Sequence, residues 1–187
     1  MFLFGNVILN KRFMAKKIAM IIAFRDFRDE EYFIPKAIFE SAGKKVFTFS
    51  SSLGSAIGSQ GGEAKIDGVL ESLDPADFEV VIFVGGGGAQ RYLDSPVCHK
   101  IAKESVENDK LLGAICIAPA ILAKAKVLEN KKATVWYSPM DKSAIKILKE
   151  NGAIFCPEGV VADGKIVTAS GPISARKFAE TIIEFLK

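Results

Sequence analysis

Apolar and amphipathic segments alternate along this chain, and the alternation predicts its secondary structure. Short runs that are apolar at nearly every position are typical of strands buried on both faces of a sheet. The runs between them place apolar residues at helical spacing, and several end at glycine or asparagine, which terminate helices readily. Strands are predicted at 18–24, 46–50, 80–84, 111–115, 134–136, 160–162 and 165–169, and helices at 30–42, 96–108, 118–126, 141–150 and 173–186.

The order of these elements predicts an α/β fold with a mainly parallel sheet and helices on both faces. The pair at 160–169 is an exception, because Asp163-Gly164 is a preferred two-residue turn and predicts a late antiparallel β-hairpin. Residues 51–62 are rich in serine and glycine and show no period, so a loop is expected there. No repeat, linker or change in composition divides the chain, which indicates one domain.

The beginning of the chain is expected to lie outside that domain. Residues 1–13 are apolar but too short to cross a bilayer, and they lack the charged start and cleavage site of a secretory signal. Met14 opens a segment that leads directly into the first predicted strand. We therefore expect an N-terminal extension over 1–13, a domain over 14–187, and no membrane partner.

Composition and charge narrow the class of protein further. The net charge of +3 comes from 25 basic and 22 acidic residues scattered along 187 positions, and no basic run interleaves with aromatics, so nucleic acid is not an expected partner. Cys98, Cys116 and Cys156 are odd in number and irregularly spaced, which favours a reducing, cytoplasmic location over disulfides. His99 follows Cys98, but neighbours on a helix point in different directions, so neither a metal site nor another cofactor is predicted.

Cys116 carries the strongest chemical signal in the chain. It lies between the predicted strand at 111–115 and the predicted helix at 118–126. A cysteine at such a sharp junction projects its sulfur from the backbone, as the nucleophile elbow does for a serine hydroxyl. The positive end of the helix dipole is expected to lower the pKa of the thiol. The alternative is a small buried cysteine without a chemical role.

Four consecutive glycines, at 85–88, follow the predicted strand at 80–84. They do not match a dinucleotide-binding loop, because Gln90 breaks the GxGxxG spacing, and no Walker lysine is present. Glycines let backbone N–H groups approach a reacting oxygen closely. We therefore expect an oxyanion site from the N–H of Gly86 and that of Ile117 in the cysteine turn. A flexible turn without a chemical role is the alternative.

Glu30 and Glu31 lie in the first turn of the predicted helix at 30–42. Acidic residues are common there because the helix dipole stabilises them, so neither residue needs a chemical role. A carboxyl beside a buried nucleophile, however, stays protonated when burial and a neighbouring anion raise its pKa. Such a carboxyl would donate a hydrogen bond to a thiolate.

Together these segments resemble the DJ-1/PfpI superfamily, which includes the PfpI intracellular proteases and the Parkinsonism-associated deglycase. The resemblance runs from about residue 16 to residue 186, and its most specific parts are AICIAP around Cys116, the acid in EEYFIP four residues before Pro35, and VGGGGAQ. The later VVADGKIVTASGP is similar to the family's final hairpin. The resemblance implies a flavodoxin-like, doubly wound sandwich that forms a homodimer or larger homo-oligomer. It also implies Cys116 as nucleophile and Glu31 as its protonated carboxylic partner.

Departures from the family pattern are expected to alter the substrate pocket. The protease branch has a histidine directly after its nucleophile and takes a glutamate from a neighbouring subunit, whereas this chain has Ile117 and Gln90. The deglycase branch is nearer, since it also lacks that histidine. It has a histidine in the region of 136–139 and an arginine before the last Gly-Pro, where this chain has other residues. The pocket is expected to include Gly85, Gly87, Trp136, Tyr137 and Ser170.

Three functions follow from these features. The first is an enzyme whose Cys116 thiolate adds to a reactive carbonyl, such as an α-oxoaldehyde or a glycated protein, with Glu31 moving the proton and no metal or nucleotide. The second is a redox-sensing stress protein in which Cys116 is oxidised reversibly without turnover. The third is a PfpI-type cysteine peptidase, which the missing histidine makes the weakest of the three.

Overall fold

A seven-stranded sheet forms the centre of the protein, for which a computed structural model describes residues 16–187. Every neighbouring pair of strands in it is parallel except the pair at one edge, which is the antiparallel hairpin. From that edge onward the strands are β11 (Val160–Asp163), β12 (Ile166–Ala169), β8 (Leu111–Ile115), β7 (Val80–Phe83), β1 (Lys17–Ile21), β3 (Lys45–Ser50) and β6 (Gly68–Val69).

Helices cover both faces of this sheet and enclose a hydrophobic core on each. Because side chains alternate along a strand, Ile18 and Met20 of β1 join the core that contains Phe178, whereas Ile21 joins the core that contains Ile101. The helices are α1 (Asp29–Ser41), α2 (Pro96–Glu107), α3 (Pro119–Lys124), α4 (Ser143–Glu150) and α5 (Ala175–Phe185). The predicted α/β sandwich with a mainly parallel sheet is confirmed.

A second, three-stranded sheet contradicts one prediction. It consists of β2 (Arg25–Phe27), β4 (Gly54–Gly58) and β5 (Glu63–Ile66), and β4 pairs antiparallel with β5. The loop predicted over 51–62 is therefore wrong for much of its length. The buried residues of β4 are Ala56 and Gly58, and such small residues among glycine and serine give no visible hydrophobic alternation.

Two further boundaries differ from the predictions. The strand predicted at 134–136 is replaced by β9 (Lys132–Ala133), which ends just before it and pairs in parallel with β10 (Ile154–Phe155). The late hairpin turns at Gly164 and Lys165, one residue beyond the predicted turn, because Asp163 still pairs with Ile166. Both differences arise from strand pairing, which local turn preferences do not determine.

The expected extension at 1–13 lies outside the described residues, as does the start at Met14. Within the described part of the chain, no helix combines the length and apolar character that crossing a bilayer requires.

Three adjacent strands place the candidate site. The strands β1, β7 and β8 are neighbours in the central sheet and run in the same direction. Their carboxyl ends therefore meet at one edge, where ligands bind in open α/β sheets. The segments that leave this edge carry Glu31, Gly86 and Cys116, as the sequence predicts.

Candidate active site

The backbone at Cys116 forms the expected sharp turn between a strand and a helix. Cys116 directly follows β8 and has φ +65°, a left-handed conformation that costs a residue other than glycine about 1–2 kcal/mol. Two hydrogen bonds hold it there: its N–H donates to the Ala169 carbonyl at 2.8 Å, and its own carbonyl accepts the Trp136 N–H at 2.8 Å. Strain maintained in this way is typical of functional sites.

Two backbone N–H groups lie beside the sulfur of this cysteine. Those of Gly86 and Ile117 are close enough to Sγ to lower the pKa of the thiol, although burial outweighs them. Gly86 has φ +102°, and a Cβ at this position would lie 2.4 Å from the backbone nitrogen of Arg28. Only glycine therefore brings this N–H to the sulfur without displacing the neighbouring loop.

Glu31 reaches the same sulfur from the first turn of α1. Its side chain is 0% exposed, and its carboxyl lies within reach of the Cys116 thiol and the Gly85 N–H. Within the described chain neither carboxyl oxygen has a hydrogen bond of regular geometry. The start of α1 is fixed by the Arg28 N–H, which donates to the Gly85 carbonyl at 3.1 Å.

Gly85 allows the carboxyl and the nucleophile to approach each other. A Cβ at this position would lie 2.6 Å from the Cβ of Cys116 and 2.8 Å from Oε2 of Glu31. Any side chain would therefore occupy the space between the two groups. Gly85, which was predicted in the pocket, does not line the cavity and lies instead against Cys116 and Glu31.

The electrostatics of the site differ from one expectation. Burial and then the charge of Glu31 raise the pKa of Cys116 to about 12, so the short helix α3 does not by itself produce a thiolate. Burial also raises the pKa of Glu31 to about 7. The two groups therefore behave as a pair that loses one proton near neutral pH and the second only in strong alkali.

The location of the single negative charge depends on the hydrogen-bond donors around the pair. An isolated thiol binds its proton more tightly than a carboxyl, by about four pKa units. The N–H groups of Gly86 and Ile117 lower the pKa of the thiol, yet with both in place the pKa of Cys116 still lies well above that of Glu31. The state with a Cys116 thiol and a Glu31 carboxylate is therefore favoured over the state with a thiolate and a protonated carboxyl, and the two backbone donors narrow the difference in free energy.

An ion pair lies beside the carboxyl at the start of α1. Nε of Arg28 is 2.9 Å from Oε2 of Glu30, and the side-chain amide of Gln60 donates to the other oxygen of Glu30 at 2.8 Å. The positive charge of Arg28 opposes the burial that raises the pKa of Glu31, whereas the negative charge of Glu30 adds to it. The pair thus adjusts the proton affinity of the buried carboxyl.

A cavity of about 790 Å³ opens over these groups. Cys116, Glu31, Gly86 and Ile117 all line it, which agrees with their predicted grouping. The complete lining is Arg28, Glu30, Glu31, Ser59, Gly86, Gly87, Gln90, Leu93, Cys116, Ile117, Trp136, Asp141, Ser143, Ile147, Pro172 and Ile173.

The remaining predicted pocket residues divide into two groups. Gly87 and Trp136 line the cavity, whereas Tyr137 and Ser170 do not. The Tyr137 ring packs edge-on against Phe155, with centroids 5.6 Å apart. The hydroxyl of Ser170 lies 3.3 Å from that of Ser174. These local partners account for the difference from the prediction.

Several cavity residues were not predicted from the sequence. Arg28, Asp141, Ile147 and Ile173 come from three segments, because Asp141 and Ile147 lie six residues apart, and no motif marks any of them. Arg28 stands just before one predicted helix and Asp141 begins another, where charged residues are common on any protein surface. Only the tertiary fold brings these positions together.

The other cysteines and the histidine lie apart from this chemistry. Burial raises the pKa of Cys98 to about 11, which favours an inert thiol. Nε2 of His99 lies 2.8 Å from the Leu93 carbonyl oxygen. Among residues 16–187, no group of three or more histidine, cysteine, aspartate or glutamate side chains is arranged to hold a metal ion.

A strained cysteine at a strand-to-helix turn, with a buried carboxyl beside it at the carboxyl edge of a mainly parallel sheet, places the chain in a class of flavodoxin-like α/β proteins. The chain belongs to the DJ-1/PfpI family, which it matches over residues 16–185. It is 38% identical over 172 residues to the uncharacterized protein MJ0967 of Methanocaldococcus jannaschii, covering 91% of this chain and 82% of that protein. Among solved structures, a ThiJ/PfpI domain protein from Brachyspira murdochii has a TM-score of 0.86 and 34% identity, covering 92% of this chain and 96% of the other.

Relatives named for an activity are similar over comparable lengths. Identity is 27% to the glutathione-independent glyoxalase DJR-1.2 of Caenorhabditis elegans, covering 92% of this chain and 90% of that protein. Identity is 29% to protein/nucleic acid deglycase 2 of Escherichia coli, covering 92% of this chain and 99% of that protein.

Proposed function

We propose that this protein is a cysteine-dependent enzyme that acts on reactive carbonyl compounds, with α-oxoaldehydes or glycated amines as substrates. Cys116 is the nucleophile, Glu31 holds and returns the proton, and the N–H groups of Gly86 and Ile117 stabilise the oxyanion. The names of a glyoxalase and a deglycase among the relatives support this class of substrate.

One observation carries the proposal. The strained Cys116 lies at the wall of a large cavity with a fully buried carboxyl and two backbone donors around its sulfur. A buried carboxyl destabilises a fold because its charged form loses hydration, and proteins keep such groups chiefly at functional sites. Here it supplies the proton acceptor that the thiol needs.

The first chemical step forms a hemithioacetal. The Cys116 proton passes to Glu31, Sγ bonds to the aldehyde carbon, and the electron pair of the C=O π bond moves to the oxygen. The donors at Gly86 and Ile117 are near the developing charge, where preorganised N–H groups are effective. Glu31 then returns the proton to this oxygen and becomes a carboxylate.

The second step is an internal oxidation and reduction that needs no external oxidant. Glu31 carboxylate moves the remaining hydrogen of the former aldehyde carbon, as a proton, to the adjacent carbonyl carbon. The hydroxyl proton passes to the adjacent oxygen, so the first carbon becomes a thioester and the second an alcohol. Water then cleaves the carbon–sulfur bond, which releases a 2-hydroxy acid and restores the thiol.

The peptidase alternative has less support than carbonyl chemistry. No histidine lines the cavity among the described residues, and His99 contacts a backbone carbonyl in α2's neighbouring loop. Without an imidazole, the leaving amine of a peptide has no strong general acid close to the nucleophile. Addition to an aldehyde has no such leaving group.

A turnover assay tests the proposal. Methylglyoxal and a glycated peptide are incubated with the wild type and with Cys116→Ala, and 2-hydroxy acid or free peptide is measured. We expect multiple turnovers by the wild type and a loss of at least about a thousandfold in the variant, because no other group replaces a covalent nucleophile.

Cys156→Ser is the matched control, since this cysteine is also free and partly exposed but lies outside the cavity. Its turnover should equal that of the wild type. Stoichiometric modification of Cys116 without release of product would instead favour the redox-sensing alternative. Equal turnover by Cys116→Ala would refute the assignment of the nucleophile.

A further inference from the structure

The cavity beside Cys116 is much larger than the carbonyl group that the sulfur attacks. Its volume of about 790 Å³ lies in the range of pockets that enclose a drug-sized ligand. Methylglyoxal carries only one methyl group beyond its two carbonyls, so it would leave most of this space to water. The remaining volume must therefore be explained by another part of the substrate.

Part of the cavity lining is apolar. It includes Trp136, Ile147 and Ile173, which come from three separate segments of the chain. We call these three residues the apolar wall. The backbone of Trp136 is fixed relative to Cys116, because its N–H donates to the carbonyl of Cys116 at 2.8 Å.

The indole of Trp136 lies close to the backbone that leads to Ile173. Gly171 has φ +150°, and a Cβ at this position would lie 3.5 Å from Cδ1 of Trp136, so the ring packs against the backbone that leads to Ile173. Trp136 is 37% exposed and Ile173 is fully exposed. Covering such apolar surface with a ligand releases about 25 cal/mol for each Å² removed from water.

The charges around the cavity favour a neutral substituent. The guanidinium of Arg28 already pairs with Glu30 at 2.9 Å. Asp141 also lines the cavity, and hydrogen bonds from Ser143 keep its pKa low, so it is a carboxylate at neutral pH. Among the described residues that line the cavity, Arg28 is the one basic side chain, so a substrate with its own carboxylate would meet the charge of Asp141 without a free cation to compensate.

We propose that the substrate carries a neutral, apolar substituent of aromatic size next to its reactive carbonyl, and that the apolar wall binds this substituent. The inference rests on the proposed function and specifies its substrate class. Methylglyoxal is then a poor substrate, and α-oxoaldehydes with a phenyl or similar group are preferred. Trp136 and Ile173 determine this specificity without touching the reacting atoms.

Paired substrates test the inference. The ratio of kcat/KM for phenylglyoxal to that for methylglyoxal is measured in the wild type, Trp136→Leu and Ile173→Ala. The intrinsic reactivities of the two aldehydes cancel when ratios are compared between proteins. We expect each substitution to lower the ratio by about tenfold, mainly through KM, as loss of hydrophobic contacts typically does. Ile154→Ala is the control, because this exposed isoleucine lies outside the cavity.

A second measurement separates this inference from the proposed function. Iodoacetamide and N-phenyl iodoacetamide alkylate Cys116 once, without turnover, and peptide mass spectrometry gives both rates. The phenyl reagent should be favoured in the wild type, and this preference should fall in the two wall variants but not in Ile154→Ala. If the alkylation preference changes in this way but no turnover is found, the proposed enzymatic function is refuted and the binding role of the apolar wall is retained. Unchanged ratios in both assays would overturn the inference.

Discussion

Cys116 and Glu31 acquire their properties from each other. Burial raises the pKa of both groups, so neither would be ionised readily at its position if it stood alone. Together they release one proton near neutral pH and keep the second until strong alkali. The N–H groups of Gly86 and Ile117 stabilise the negative charge when it lies on the sulfur. Reactivity at this site is therefore a property of the pair.

Substitution of Glu31 tests where the charge lies. In the wild type, the rate of Cys116 alkylation should rise with an apparent pKa of about 7, when the pair loses its first proton. Glu31→Leu removes the proton acceptor but leaves the thiol buried, so its alkylation should begin only above the ordinary thiol pKa of about 8.5. Glu31→Gln still donates a hydrogen bond to sulfur and should titrate between the two.

The same titration can contradict this account. If Glu31→Leu reacts at a lower pH than the wild type, the carboxyl is charged and repels the thiolate, and the shared-proton mechanism is wrong. Cys98 and Cys156 are also free thiols, so mapping alkylation to the Cys116 peptide assigns the measured rate to Cys116 in all three proteins.

At the scale of elements, the site depends on how closely three chain segments approach one another. A Cβ on Gly86 would lie 2.4 Å from the Arg28 nitrogen and 2.6 Å from the Asp26 carbonyl oxygen. A Cβ on Gly88 would lie 1.9 Å from the Arg25 carbonyl oxygen. The glycines thus let the segment after β7 contact the backbone of the segment that leads into α1. This contact aligns Glu31 with the sulfur of Cys116.

Two neighbouring glycines give a matched test of this contact. Gly86→Ala should destabilise the fold by about 1–3 kcal/mol, because it combines a positive φ with a backbone clash. It should also slow alkylation of Cys116, since the displaced N–H no longer reaches the sulfur. Gly87→Ala meets nothing within 4 Å and should change the free energy of unfolding by less than about 0.5 kcal/mol. Chemical denaturation measures the free energy of unfolding of both variants. Equal losses would show that the glycines are needed for backbone flexibility rather than for close contact.

The sequence predicted most of the elements, and the exceptions have a common cause. Strands such as β7 are apolar on both faces and are visible without tertiary information. The strands β4 and β5 are not, because the small residues of β4 carry no pattern and only pairing with β5 defines them. The turn of the late hairpin is displaced for the same reason, since the pairing of Asp163 with Ile166 sets its register.

The same distinction applies to the site. Cys116, Glu31 and Gly86 stand at the ends of predictable elements, so their meeting at one sheet edge follows from the strand order. Trp136 was expected in the pocket and lines it, but Ile173 was not, because its position depends on a turn after the last strand. Sequence patterns identify the proposed nucleophile and its proposed partner, whereas the proposed substrate-binding wall is defined by the tertiary fold.

At the scale of the whole molecule, the buried carboxyl reduces stability. Glu31 is 0% exposed, so it occupies a position where a leucine would contribute hydrophobic free energy to the fold. Its charged carboxylate form destabilises the fold more than its neutral carboxyl form does. Proteins accept such groups at functional sites, where activity and stability compete. The expected homo-oligomer would add stability through its interface, and this assembly stays a prediction.

The pH dependence of stability measures this effect. Burial raises the pKa of Glu31 from 4.5 to about 7, so the native state holds its proton more tightly than the unfolded state. The stability that Glu31 contributes by holding its proton is fully present below about pH 4.5 and is lost as the pH rises to about 7. An ion-paired carboxylate shows the reverse dependence. Relative to Glu31→Gln, the wild type should lose about 3 kcal/mol of unfolding free energy across this range. Urea denaturation at a series of pH values gives the difference.

Cys116→Ser identifies which member of the pair is responsible. This variant keeps the buried carboxyl, and burial is the main cause of its raised pKa, so its stability should fall with pH much as the wild type does. Only Glu31→Gln should lack the fall in stability with pH that the wild type and Cys116→Ser share. If Cys116→Ser also loses the pH dependence, then the thiol rather than the cavity determines the proton affinity of Glu31. The raised pKa of Glu31 would then depend on the neighbouring thiol, and burial alone would not keep the carboxyl protonated.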